Sequence, residues 1–347
     1  MKIKLFTHTD LDGVGAAVLA YLVFGIDNVD VEYCDYQDIN EKVEKLLSNI
    51  EDRCVYDMIF ITDISIDAEL ADAIRVWIYP CNVLLFDHHP TALYLNDYYW
   101  CKVQIESDTG LKTCGTEMFF QYLYDYGYFK KCDPIILDNI RKFVEIVRDY
   151  DTWRWRELGA DGLIAKQVND LFSIYGREDF IVWAIDRIYA VRDEFHEFPC
   201  FQPIDRTLLE QKQKEIDSYV EQKDKQLRIA EDPFGKWFGY VFAERYFSEL
   251  GNRLCGMHPE LAYVAMIDIS TGKVSYRTCK ESVDVGGEIA HAFGGGGHKK
   301  AAGSTFDAME AGDYILWHSV MKEKVKPFWK AECMNEDTNK IKTETTN

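Results

Sequence analysis

The sequence predicts an α/β protein in which a doubly wound parallel sheet is joined by a helical connector to a smaller α/β domain. Three observations predict it. Residues 1–155 alternate short apolar runs with helix-like stretches, the pattern of strands linked by crossover helices. A charge-rich stretch with few breakers follows within residues 156–230. A second alternation then occupies residues 231–325. With 347 residues, 47% of them hydrophobic, the chain can fill two ordinary cores.

The first strand is Ile3–Thr7, and further apolar runs mark strands at Val29–Cys34, Met58–Thr62 and Val83–Phe86. Between them lie helical patterns around Gly13–Phe24, Asn40–Asn49 and Asp67–Trp77. Longer helices are expected near Thr113–Tyr126 and Pro134–Tyr150. Arg156 to Pro203 reads as helical and irregular. Asp205–Ile229, rich in Glu, Gln, Lys and Leu and closed by Asp232-Pro233, reads as a long solvated connector helix. Strands are expected near Trp237–Ala243, Leu261–Ile267 and Lys273–Thr278, followed by a glycine turn at Gly294–Gly297. Asn335–Asn347 is polar enough to be a disordered tail.

Composition excludes several classes. Lys2-Ile3-Lys4-Leu5-Phe6 reads as a strand and no apolar run is long enough for a membrane span, so a cytoplasmic chain with no signal peptide is expected. The ten cysteines are scattered singly without a CxxC pair, which favours reduced, mostly buried thiols over a disulfide framework or thiolate zinc site. The net charge of −20 opposes tight binding of long nucleic acid, which is driven by counterion release from a broad basic face. A small anion needs only one focused pocket.

Three segments put acidic and imidazole groups just after candidate strands. In Thr7-His8-Thr9-Asp10-Leu11-Asp12-Gly13, side chains two apart point the same way, so His8, Asp10 and Asp12 can converge. Ile59-Phe60-Ile61-Thr62 ends in Asp63, and Val83-Leu84-Leu85-Phe86 ends in Asp87-His88-His89. Taken singly, an aspartate after a strand is a cap or turn former, and a His-His pair is packing. Together they line the strand ends where doubly wound sheets bind ligands. Such mixed N/O donors suit Mn²⁺, Mg²⁺ or Zn²⁺, and they outnumber the needs of one ion, which favours two with a bridging carboxylate.

This set resembles the DHH phosphoesterase superfamily, named for the run found here at Asp87-His88-His89. The three segments match its first three motifs in order and spacing. Its fourth motif is an aspartate after a helix-rich stretch, and Val147-Arg148-Asp149-Tyr150-Asp151-Thr152-Trp153 offers Asp151, followed by the family's frequent Thr, with Asp149 as the alternative. The resemblance implies His8 and Asp10 on one divalent ion, Asp12, His88 and Asp151 on the other, and Asp63 between them. His89 would face the substrate phosphate while Asp87 orients the neighbouring imidazoles. The two-residue step from His8 to Asp10 is closest to the RecJ-like branch.

Phe293-Gly294-Gly295-Gly296-Gly297-His298-Lys299-Lys300-Ala301-Ala302-Gly303 is similar to the DHHA1 substrate-binding domain of one subfamily. Bare glycine amides can cradle an anion, and the small residues after them suit a helix start. Across Gly272–Gly303 five Lys/Arg against three Asp/Glu leave a local charge of +2. The resemblance implies that Gly295, Gly296, Gly297 and His298 hold a terminal phosphate or sugar and that Arg277 is a second anion clamp. Tyr246-Phe247-Ser248-Glu249-Leu250-Gly251-Asn252-Arg253-Leu254, with the Asp-Tyr-Asp-Thr-Trp stretch, is closest to nanoRNase B-type oligoribonucleases. Ser248 and Asn252 join the substrate set on that ground, or serve only as helix caps.

These readings converge on a two-metal phosphodiesterase, with Mn²⁺ favoured over Mg²⁺, that cuts short oligonucleotides to nucleoside 5′-monophosphates. Rival substrates are a cyclic dinucleotide, adenosine 3′,5′-bisphosphate and single-stranded DNA. A nucleotide-binding regulator is the rival that is not an enzyme. Long duplex nucleic acid and membranes are not expected partners, and the sequence admits a homodimer.

Overall fold

The computed structural model describes residues 1–77, 82–190 and 198–315, and the chain divides into two compact units, 1–211 and 212–347. The expected tail at Asn335–Asn347 lies outside the described residues.

Unit 1 runs β1 (Ile3–Thr7), α1 (Leu11–Phe24), β2 (Val29–Tyr33), α2 (Ile39–Ser48), α3 (Ile50–Arg53), β3 (Met58–Thr62), α4 (Ala68–Trp77), β4 (Asn82–Asp87) and β5 (Cys101–Val103). Helices α5 (Gly115–Asp125), α6 (Pro134–Asp151), α7 (Ala160–Tyr175) and α8 (Arg177–Ala190) follow. The sheet is parallel throughout, in the order β2-β1-β3-β4-β5. Period-two alternation builds a core on each face. Ile3, Leu5, Met58, Phe60 and Phe86 join one cluster with α1, α5 and α6, while Phe6, Ile59, Ile61, Val83 and Leu85 join the other with α2 and α4. Register aligns Thr7 with Thr62 and Thr62 with Phe86, so the segments after β1, β3 and β4 leave the sheet at one level. The order in which strands are added reverses between β1 and β3, the switch point where a crevice opens in this topology.

The connector α9 (Pro203–Gln226) is not merely solvated. Asp205 is buried, Leu209 joins a unit 1 core, and Ile216, Tyr219 and Val220 join a unit 2 core. Its charged composition masks these apolar contacts.

Unit 2 continues with β6 (Arg228–Glu231), β7 (Trp237–Phe242), α10 (Phe247–Met257), β8 (Val264–Asp268), β9 (Lys273–Arg277), a π-helical turn at Val285–Ala290, β10 (Gly296–His298), β11 (Ala301–Thr305) and α11 (Ala308–Ile315). Its sheet is mixed, ordered β10-β11-β9-β8-β7-β6, with β7 and β8 the parallel pair. Two expectations are corrected here. The small residues after the glycines form strand β11, not a helix start, because they pair with β9 from Ala301 opposite Arg277 to Thr305 opposite Lys273. The thiols are not mostly buried: of the described cysteines, Cys34, Cys114 and Cys255 are buried while Cys54, Cys200 and Cys279 are exposed. No described helix is long and apolar enough to cross a membrane.

Candidate metal centre and anion-binding face

Asp10 is the N-cap of α1, its Oδ1 accepting from the amides of Asp12 and Gly13 at 3.1 Å each. Its Oδ2 stands 3.0 Å from His8 Nδ1. One oxygen of this aspartate thus caps the helix while the other faces His8. Gly13 makes the turn possible, since a Cβ there would lie 2.1 Å from the His8 carbonyl oxygen.

Asp12 is held by the start of α5. The α5 amides of Gly115 and Thr116 donate to its two oxygens at 2.6 and 2.8 Å, a helix N-terminus gripping a carboxylate. Asp63 follows β3 in the left-handed region, φ 59, with its amide donating to Phe86 O at 2.9 Å. Aspartate tolerates that conformation better than most residues, and it turns the carboxylate over the sheet edge. Gly115 packs against this turn so closely that a Cβ would lie 2.6 Å from Asp63 Cβ.

Around Asp63 the side chains fall into three overlapping sets, the ligand-type atoms of each within 4.8 Å of one another: His8, Asp10 and Asp63; Asp12, His88 and Asp151; and Asp63, Asp87, His88 and His89. Asp63 links them: Oδ2 lies 3.8 Å from His8 Nδ1 and Oδ1 3.2 Å from His88 Nε2. The same His88 nitrogen is 3.6 Å from Asp151 and 3.8 Å from Asp12. Asp151, not Asp149, reaches the cluster, for Asp149 is taken up by Arg148 and Arg154 at 3.1 and 3.0 Å.

The electrostatics are those of an acidic site short of positive charge. Burial, then the charges of Asp12, Asp10 and Asp151, hold the Asp63 carboxyl well above its usual value. Burial with Asp12 and Asp10 pushes Asp151 up to about 8. Burial also lowers His88, favouring the neutral ring that can ligate. Asp63 Oδ2 is buried with no hydrogen-bond partner. Such an oxygen, in a cluster of repelling carboxylates and imidazoles, fits a divalent cation.

Asp87 is fully buried and stands behind the cluster. It accepts from Ser65 Oγ, from the His88 amide at 2.8 Å and from His89 Nδ1 at 2.7 Å. That last bond raises the His89 pKa against the pull of burial and turns Nε2 outward, 3.2 Å from the Tyr36 hydroxyl. Tyr36, Ser65, Gly115 and Thr116 were not legible as site residues. They lie in loops or a helix start, and only tertiary contact brings them in.

In unit 2, two of the expected substrate residues, Arg277 and His298, share one sheet face. Arg277 on β9 stands opposite Ala301 on β11, and Ala301 opposite His298 on β10. Direct cross-strand partners project to the same side, so His298 and Arg277 lie in one row. Arg277 Nη2 donates to Ser248 Oγ on α10 at 3.2 Å, and Asn252 Nδ2 donates to Ser248 O at 2.5 Å. The glycines are less open than a bare loop. Gly294 and Gly295 amides donate to His291 and Ala290 carbonyls at 3.1 and 2.8 Å, while Gly296, Gly297 and His298 enter the β10–β11 ladder.

No family model matches the chain. The oligoribonuclease NrnB of Bacillus subtilis (strain 168) is 36% identical over 300 residues, 86% of this chain and 71% of that protein. The chain belongs to the DHH phosphoesterase superfamily. Among solved structures, RecJ from Thermus thermophilus in complex with Mn²⁺ aligns with a TM-score of 0.53 at 16% identity, covering 90% of this chain and 50% of that one. The DHH domain of a member of the S1p family of ribosomal proteins aligns at 0.54 and 11% identity, covering 90% and 84%. These likenesses concern the DHH fold: the parallel sheet whose strand ends carry the Asp87-His88-His89 run.

Proposed function

We propose that this DHH protein is a divalent-cation-dependent phosphodiesterase that cuts very short oligonucleotides to nucleoside 5′-monophosphates. The observation that carries the reading is the buried, partnerless Asp63 oxygen placed between the His8–Asp10 set and the Asp12–His88–Asp151 set. An oligoribonuclease as relative and a net charge of −20 support a short substrate.

His8, Asp10 and Asp63 would hold one cation and Asp12, His88 and Asp151 another, with Mn²⁺ suiting mixed N/O donors and Mg²⁺ the rival. Bound cations supply positive charge opposite the phosphodiester oxygens and acidify water. The chain's own groups do the rest. Asp87 fixes the His89 ring through Nδ1, so Nε2 can donate to a phosphoryl or leaving oxygen. The amides of Gly115 and Thr116 hold the Asp12 carboxylate in place. Arg277, Ser248, Asn252 and His298 offer unit 2's anion-binding face, where Arg277 supplies the planar donor pair that phosphates accept.

The test is hydrolysis with Mn²⁺ of labelled RNA and DNA oligomers, cyclic dinucleotides and adenosine bisphosphate. The expected outcome is mononucleotide release from the shortest linear oligomers. Asp63→Ala should lower kcat/KM at least about 100-fold, the loss that even outer partners of metal ligands cause. Cleavage that survives Asp63→Ala at the wild-type rate would remove the scheme.

A further inference from the structure

We propose that the aromatic ladder following Asp151 is a base-stacking platform for a nucleotide flanking the scissile phosphate. The proposal rests on the function proposed above and deepens it.

Helix α6 delivers Asp151 to the acidic cluster and ends there. Within the next five residues the chain stacks two indoles and a guanidinium. Trp155 stacks on Tyr150 with centroids 6.3 Å apart and planes 12° apart, and Trp153 stacks on Trp155 at 6.4 Å and 28°. The Arg156 guanidinium lies 4.6 Å from the Trp153 ring centre and 5.2 Å from that of Trp155. Trp153 remains 48% exposed. A tryptophan half in water leaves a large apolar surface unburied, so a stacking partner has much to gain there.

The ladder is built, not frayed. Asn169 Nδ2 donates to the Tyr150 hydroxyl at 2.8 Å. Helix α7 seats Gly162 against the Trp155 backbone, where a Cβ would come within 1.8 Å of the carbonyl oxygen. Trp153 itself sits in the left-handed region at φ 63, ψ 7, with its amide donating to Tyr150 O at 3.1 Å. That conformation is costly for a bulky side chain and gathers at binding sites where the surroundings enforce it. Asp151 and Trp153 are two positions apart, so their Cα atoms span at most about 7 Å. Aromatic faces bind any base, and arginine planes extend the stack. The ligand class is therefore a single-stranded nucleotide, recognised without base preference.

The test uses the full chain with Mn²⁺ and compares wild type, Trp153→Ala and Trp153→Phe on a dinucleotide and on an analogue with one abasic nucleotide. Trp153→Ala should raise the dinucleotide KM about 5- to 150-fold, the effect of losing one stacked base, with a smaller change in kcat. Trp153→Phe should recover most of it, and the abasic analogue should show a smaller KM ratio between variant and wild type. An unchanged dinucleotide KM overturns the platform, and so does an equal rise on the abasic analogue, which would place the effect on Asp151 or on folding. Should the alanine variant not fold, dinucleotide quenching of tryptophan emission decides. It is expected in wild type and mostly lost in Trp153→Phe, and no quenching in wild type overturns the proposal. Absence of cleavage of every oligonucleotide by wild type would sink the proposed function instead, while the quenching measurement still judges the ladder.

Discussion

Asp151 carries a carboxyl pushed up to about 8 by burial and by the charges of Asp12 and Asp10, against an ordinary 3.8. Its sign follows from linkage. Between those two values the ion-free fold binds a proton that the unfolded chain does not, so the ion-free protein loses stability as pH rises through that window. Asp63, raised by burial and the same neighbours, works in the same direction. Ion uptake needs both carboxylates bare, so it must expel the protons, and apparent affinity climbs with pH until about 8. Titration calorimetry with Mn²⁺ near pH 6.5 and 7.5, in buffers of different ionisation heat, should show at least about one proton released. In thermal melts the ion-free protein should weaken as pH rises from about 5 to about 8, and Mn²⁺ should reverse the loss. Uptake that is flat with pH and releases no proton would refute the acidic-cluster account.

At the scale of elements, the glycine run separates packing from binding. Gly297 has φ 141, and a Cβ would lie 2.7 Å from Ala302 Cα; at Gly295 a Cβ would lie 2.1 Å from the Gly303 carbonyl oxygen. Around Gly296 nothing stands within 4 Å. Gly297→Ala should therefore cost about 1–3 kcal/mol and lower Tm, whereas Gly296→Ala should leave Tm nearly unchanged and raise KM if a phosphate approaches that backbone. A Gly296→Ala enzyme with wild-type KM would mean that no ligand needs the glycine there. The strands β1, β3 and β4 were legible because both their faces are buried, which writes them as unbroken apolar runs. Strand β5 escaped notice because it has three residues, and β6 because it is largely exposed and polar. Strand β11 was misread because alanine-rich stretches favour helix until pairing with β9 overrides them. The acidic cluster was visible since its members lie at or beside strand and helix ends. The grip of Gly115 on Asp12 was not, because 103 positions separate them.

The whole molecule bears a charge of −20, and this gives the substrate preference a sign that salt can reveal. A protein that binds nucleic acid through a broad basic face loses affinity steeply as salt rises, because counterion release is its driving force. On the proposed function the net negative charge repels a polyanion, while cations in the acidic cluster and the Arg277–His298 face would attract the phosphates nearest the site. A dinucleotide presents few charges beyond those the site engages. A strand of roughly 24 nucleotides must bring many phosphates within a Debye length of acidic surface, about 10 Å at 0.1 M salt. The expected outcome is that kcat/KM falls from dinucleotide to 24-mer, and that raising salt from about 20 to about 200 mM narrows the gap by screening the repulsion. Progress curves for labelled oligomers at fixed Mn²⁺ measure both effects. A 24-mer cut as well as a dinucleotide at low salt, and progressively worse as salt rises, would point to a hidden basic track and an exonuclease of long strands.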